Sequence, residues 1–205
     1  MTPGSQRVGV LVSGRGSNLQ ALVDASRDGR LGGDVALVLS NVEGAPALRR
    51  AREAGIPALF RDHRERKREE FDAELRALLE DHGVGLVCLA GYMRLLSPAF
   101  IRTWSRRIMN VHPSLLPAFP GLEAQRQAVE YGVKVSGATV HLVDEGLDSG
   151  PIVLQEAVSV LPGDGPEELA ARILECEHRL YPRAVRLMLE GRWRVEGRRV
   201  IVEEP

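Results

Sequence analysis

The chain has 205 residues, 44% hydrophobic and 27% charged, and its 27 basic and 28 acidic side chains leave a formal net charge of −1. That composition fits a globular protein with a full core and excludes a surface dominated by polyphosphate binding, so nucleic acid is not an expected partner. No apolar run approaches the ~20 residues of a bilayer span, and Cys88 and Cys176 have neither disulfide-scaffold numbers nor metal-ligand spacing. With no apolar leader in Met1–Arg7, the expected setting is the cytoplasm, with no membrane and no metal.

In chain order, Val8–Val12 is a short β-branched run that ends in a glycine turn, and a helix follows with Leu19, Leu22 and Val23 on one face and Ser17 placed to cap it. Val35–Leu39 reads as a second strand, Ala47–Ala54 as a helix stopped by Gly55, and Ile56–Phe60 as a third strand. Arg64–Glu80 carries Phe71, Leu75, Leu78 and Leu79 at helical spacing, with Arg61–Arg68 as its solvated start, and Gly85–Ala90 is a fourth strand. Strands and helices alternating at this pitch imply right-handed βαβ units and a parallel sheet.

After Tyr92 the rhythm changes. Ile108–His112 is a strand running into a proline-rich loop, Glu123–Glu130 is a helix, and Val135–Val143 with Ile152–Val160 form an antiparallel pair. A long helix runs from Pro166 to about Leu189 with Pro182 as a kink, and Arg192–Val195 with Arg198–Val202 make a terminal hairpin. The expectation is one α/β domain: a Rossmann-like βαβ half over about 7–110, a mixed-sheet half over about 110–190, a hairpin over 191–205, and helices on both faces.

Three segments carry chemistry. Gly14-Arg15-Gly16-Ser17-Asn18 joins a strand to a helix, where backbone N–H groups can hold a phosphate. Leu19 stands where a dinucleotide fingerprint needs glycine, and no Gly-Lys-Ser/Thr follows, so NAD and P-loop readings are disfavoured. A single phosphate and a turn that merely permits close packing both remain open. In the second segment, Asn110 and His112 point to one side of an extended strand, an amide and an imidazole suited to a carbonyl oxygen that becomes negative, although a buried, satisfied histidine fits as well. The third is the acidic loop Asp144–Pro151, in which Asp148 between two nearby glycines is the acid best placed to pair with His112, against the plain alternative of a hairpin turn.

His141 reads as a core or supporting group, His63 and His82 as surface, and Glu177-His178 as a solvent-facing or structural part of a helix. There is no G-x-S-x-G elbow and no HExxH or Cys/His set, so covalent and metal-assisted hydrolysis lack their usual sequence support.

Taken together, Ser13–Gln20 (SGRGSNLQ), Leu89–Ser97 (LAGYMRLLS), Asn110–Pro117 (NVHPSLLP) and Leu147–Pro151 (LDSGP), in that order, closely resemble the folate-dependent phosphoribosylglycinamide formyltransferases of purine biosynthesis. The resemblance runs from about Val8 to Pro182. It implies the formyltransferase fold and transfer of a formyl group from 10-formyltetrahydrofolate to the amine of glycinamide ribonucleotide. These two small molecules are the implied partners, and a homodimer is allowed for. The implied catalytic residues are Asn110, His112 and Asp148, and the implied ribonucleotide site is Gly16, Ser17, Asn18 and Glu177. For the folate, the resemblance implies Arg68, the loop residues Met93, Arg94, Leu95 and Leu96, and Asn110 with Asp144, Glu145, Gly146, Leu147 and Asp148.

One position departs mildly: Thr139 stands where a close relative often has Ser, and the hydroxyl is kept. The rivals are methionyl-tRNA formyltransferase, formyltetrahydrofolate hydrolase and a phosphosugar- or folate-binding regulator without activity. The first normally carries a second, basic tRNA-binding domain, for which a chain ending at Pro205 with an acidic tail is expected to have no room, and the second usually carries an added N-terminal regulatory domain, expected to be missing here.

Overall fold

The computed structural model describes residues 6–203; residues 1–5 of the start read as leaderless, and residues 204–205, lie outside the described residues. Its framework is one nine-stranded sheet in the order β3-β2-β1-β4-β5-β6-β7-β9-β8. β1 (Arg7–Val12), β2 (Asp34–Ser40), β3 (Ala58–Phe60), β4 (Leu86–Leu89) and β5 (Ile108–His112) pair in parallel. β1, β2 and β4 are apolar and almost wholly buried, as strands covered on both faces must be. From β5 onward, β6 (Val135–Leu142) and β7 (Ile152–Ser159) add in antiparallel fashion. The expected terminal hairpin, β8 (Trp193–Glu196) and β9 (Arg199–Val202), also joins the sheet, because β9 meets β7 in parallel at Ile152 and Arg199.

Two apolar cores flank the sheet. α1 (Ser17–Arg27), α2 (Pro46–Glu53), α5 (Ala124–Tyr131) and α6 (Pro166–Glu190) supply one, built around Leu22, Leu48, Ala128, Ile173 and Tyr181. α3 (Arg68–Asp81) and α4 (Pro98–Thr103) supply the other, with Phe71, Leu75, Leu79, Phe100 and Trp104. Cys88 and Cys176 are both buried. The Tyr181 hydroxyl donates to the carbonyls of Leu89 and Met109, at 3.0 and 3.1 Å, and so ties α6 to the ends of β4 and β5. No helix among the described residues is long and apolar enough to cross a membrane.

Several sequence expectations are corrected. α1 is capped by Gly16 in the left-handed region (φ 75°) with no side-chain cap bond, so Ser17 is the first helical residue and not the cap. α3 begins at Arg68, four residues later than its periodicity implied, because Glu65 takes φ 57° and breaks any helix before it. β3 begins at Ala58, not Ile56. The short helix α4, whose N-terminus is capped by the Ser97 hydroxyl bonded to the Phe100 N–H, was not anticipated. His63 is half-buried, with Nδ1 3.0 Å from the Asn41 carbonyl, and His82 bonds the Leu78 carbonyl.

The chain reaches β4 by crossing back over β1, so the strand order reverses between these two strands. In open α/β sheets ligands settle beyond the carboxyl ends of the strands at such a reversal. The glycine turn after β1, the Gly91–Ser97 segment after β4, and Asn110 and His112 at the end of β5 all lie at that edge.

Candidate active site

The antiparallel register of β5 and β6 sets Asn110 opposite His141 and His112 opposite Thr139. The Asn110 amide nitrogen lies 3.3 Å from His141 Nε2. His112, 4% exposed, has Nε2 at 2.8 Å from the Phe119 carbonyl and Nδ1 at 3.4 Å from Asp148 Oδ2. Both ring nitrogens therefore face acceptors, a pairing that a ring protonated on both satisfies. The Nδ1–Asp148 separation is an ion-pair distance, too long for a strong hydrogen bond, so that N–H remains available to an incoming oxygen.

Asp148 is held from three sides. Its Oδ2 accepts from the Gly121 N–H at 2.8 Å, and its Oδ1 lies 3.6 Å from His141 Nε2. Its backbone is left-handed (φ 47°), a conformation that Asp tolerates better than most residues. A Cβ on Gly150 would stand 1.8 Å from the Leu142 carbonyl oxygen, so the loop closes only over glycine there. Burial pushes the Asp148 carboxyl upward, but His141, the Gly121 N–H and the His112 charge outweigh it and hold the group below its ordinary value.

The proline-rich loop is pinned by Thr139, whose hydroxyl donates to the Ser114 carbonyl at 2.7 Å and accepts from the Leu116 N–H at 3.0 Å and the Gln155 amide at 2.9 Å. Thr139→Val keeps the volume and leaves these partners unsatisfied, so urea denaturation should show a loss of about 2 kcal/mol. An unchanged midpoint would refute this pinning role.

The ribonucleotide candidates also converge. Asn18 donates to Glu177 Oε2 at 2.7 Å, across 159 residues of sequence. Glu177 is 6% exposed rather than solvent-facing, and burial pushes its carboxyl up to about 7. The Asn18 oxygen is buried without a partner. A Cβ on Gly16 would stand 2.6 Å from Ala47 Cβ and 2.8 Å from its Cα, so the turn packs against α2 at the N-terminus of α1.

The folate candidates are more spread out. Met93 (67% exposed) and Leu95 (60%) stand out from the loop after β4, whereas Leu96 packs into the α3–α4 core and Arg94 lies over the Phe71 ring, 5.0 Å from its centroid. Arg68 is exposed at the start of α3. Asp144 folds back on its own loop, accepting from the Gly146 N–H at 3.1 Å and the Ser149 hydroxyl at 2.7 Å. Glu145 pairs with Arg102 at 3.0 Å, on α4, and Leu147 is exposed. No side-chain hydrogen bond or ion pair joins Arg68 or Glu145 to the Asn110–His112–Asp148 group among the described residues.

The sequence reading left His141 only as a supporting group, and it missed the Phe119 carbonyl altogether. The alternation of Thr139 and His141 on β6 was the available signal for the first; nothing local marks the second. No group of three or more His, Cys, Asp and Glu side chains that could hold a metal occurs among the described residues.

The sequence pattern described as formyl transferase matches residues 6–185. The chain belongs to the formyl transferase family. The chain is 43% identical to the Escherichia coli phosphoribosylglycinamide formyltransferase over 185 residues, which are 89% of this chain and 87% of that protein. It is 52% identical over 189 residues to a trifunctional purine biosynthetic protein from Drosophila melanogaster, matching 91% of this chain but spanning only 14% of that much longer protein. Among solved structures, glycinamide ribonucleotide transformylase 1 from Symbiobacterium toebii superposes with a TM-score of 0.96 at 55% identity, covering 100% of this chain and 96% of that one. The single α/β formyl transferase domain expected from the sequence is therefore the fold observed.

Proposed function

We propose that this formyl transferase moves a formyl group from 10-formyltetrahydrofolate to the amine of glycinamide ribonucleotide, in the cytoplasm. The observation that carries this reading is the convergence of His112 and Asp148, 3.4 Å apart, with Asn110 on the strand next to β4 and its loop. The names of its relatives support it. In the proposed reaction the uncharged amine attacks the formyl carbon, a new C–N bond forms, and the carbonyl oxygen becomes an oxyanion. The Asn110 amide and the His112 ring N–H donate to that oxygen. Asp148 keeps His112 charged and oriented, and helps a proton pass from the attacking amine to the folate nitrogen as the old C–N bond breaks. Gly16, Ser17 and Asn18 hold the phosphate, and Glu177 accepts from the sugar. Met93 and Leu95 with the Asp144–Asp148 loop seat the folate.

The test is release of tetrahydrofolate by the purified protein with glycinamide ribonucleotide, with methionyl-tRNA, and with no acceptor. Release confined to the first is expected. Equal release without an acceptor would instead mean a hydrolase. A second test is Gly16→Val, which at φ 75° and against Ala47 must displace the turn. It should weaken ribonucleotide binding roughly tenfold and folate binding far less. Equal loss of both would contradict the assignment of the turn.

A further inference from the structure

Beneath the loop after β4 lies a buried acid that the reaction above does not use. Asp72, one turn into α3, is 1% exposed, and its Oδ2 accepts from the Ser97 N–H at 2.6 Å. Its Oδ1, the Tyr92 hydroxyl and the Arg94 Nε are all buried with no hydrogen-bond partner in the structure. Tyr92 and Arg94 flank Met93, and both lie within reach of the Asp72 charge. Burying a carboxylate is costly, and burial does push this carboxyl upward, against the opposing pull of Ser97, Arg94 and Arg68. A lone backbone N–H could be held by a neutral side chain at less cost. The acid makes sense where its charge also acts on the other polar groups of the loop, Tyr92 and Arg94.

Among the described residues, the hydrogen bonds that hold the loop ahead of Ser97 lie at its start. The Ser13 N–H donates to the Gly91 carbonyl at 3.1 Å, and the Met93 N–H donates to the Ser13 hydroxyl at 2.8 Å. Between that anchor and Ser97, Tyr92 and Leu96 turn inward while Met93 and Leu95 turn outward. The second anchor decides how far the outward pair is presented.

We propose that Asp72 is a positioning residue for folate binding: it fixes the far end of the loop through Ser97 and draws Tyr92 and Arg94 toward its second oxygen, so that Met93 and Leu95 are held ready for the ligand. This rests on the reading that the loop seats the folate. The experiment is steady-state kinetics of the full chain carrying Asp72→Ala, Asp72→Asn or Leu95→Ala, with thermal melts of each. Asp72→Ala should raise the KM for 10-formyltetrahydrofolate roughly tenfold, with kcat and the ribonucleotide KM changed less than about twofold. Asp72→Asn, which keeps an acceptor for Ser97, should regain most of that loss.

An unchanged folate KM in Asp72→Ala, alongside a raised one in Leu95→Ala, overturns the positioning role and leaves the loop assignment intact. An unchanged folate KM in Leu95→Ala removes the loop assignment and the proposal with it. Parallel loss of kcat, both KM values and melting temperature, with no rescue by Asn, reduces Asp72 to a structural residue and also overturns the proposal. If Asp72→Ala does not fold, Tyr92→Phe gives the same readout. Removing only the hydroxyl should raise the folate KM about threefold, and no change overturns the proposal.

Discussion

Replacing Asp148 by Asn should leave the fold intact and lower turnover by roughly two to three orders of magnitude. Asn tolerates the left-handed backbone at this position, and its amide oxygen can still accept from the Gly121 N–H. What disappears is the negative charge 3.4 Å from His112 Nδ1. Without it the ring loses the carboxylate that orients it and offsets the charge developing as the proton moves. Single-turnover formyl transfer and a thermal melt of the same sample decide the matter; near-normal turnover would end the catalytic assignment. A pH signature accompanies the charge. Because the native carboxyl is held below its ordinary value of 3.8, it contributes stability above that pH, which is lost as pH falls through the lowered native value. The stability gap between parent and variant should therefore narrow in strong acid.

Glu177→Gln should have opposite effects on stability and on binding. The parent carboxyl is raised from 4.5 to about 7, so the native state holds that proton more tightly than the unfolded chain. The associated stability is fully present below pH 4.5 and is lost as pH rises through about 7, a penalty on the order of 3 kcal/mol at pH 8. Gln has no charge to bury and still accepts from Asn18. Its melting temperature should exceed the parent's at pH 8 and match it near pH 4.5. Its ribonucleotide KM should rise, because the acceptor proposed to face the sugar is weaker. A variant no more stable than the parent at pH 8 would show that Glu177 carries no buried charge.

Elements with strong local signals were legible in the sequence. Buried runs such as Val8–Val12 and Val35–Leu39 announce parallel strands, and the apolar spacing of Phe71, Leu75 and Leu79 announces α3. Boundaries set by backbone conformation were not. The turn at Glu65 and the glycine cap of α1 depend on positive φ angles that composition does not reveal. The six residues of α4 are too few for a helical period to emerge. In the site, Asn110, His112 and Asp148 could be chosen because strand alternation and a glycine-flanked acid are local patterns. The contacts of His112 with Phe119 and of Asn110 with His141 depend on loop path and strand register. The burial of Glu177 against Asn18 depends on how α6 lies over α1.

Ser13 carries a last implication. Its hydroxyl donates to Asn41 Oδ1 at 2.6 Å and receives the Met93 N–H, so the ends of β1, β2 and β4 are stitched at one point. Neighbouring strands stand only ~4.8 Å apart. On the proposed reading, the turn that would berth the acceptor and the loop that would berth the donor thus leave neighbouring rungs of one ladder, and their spacing is inherited from the sheet.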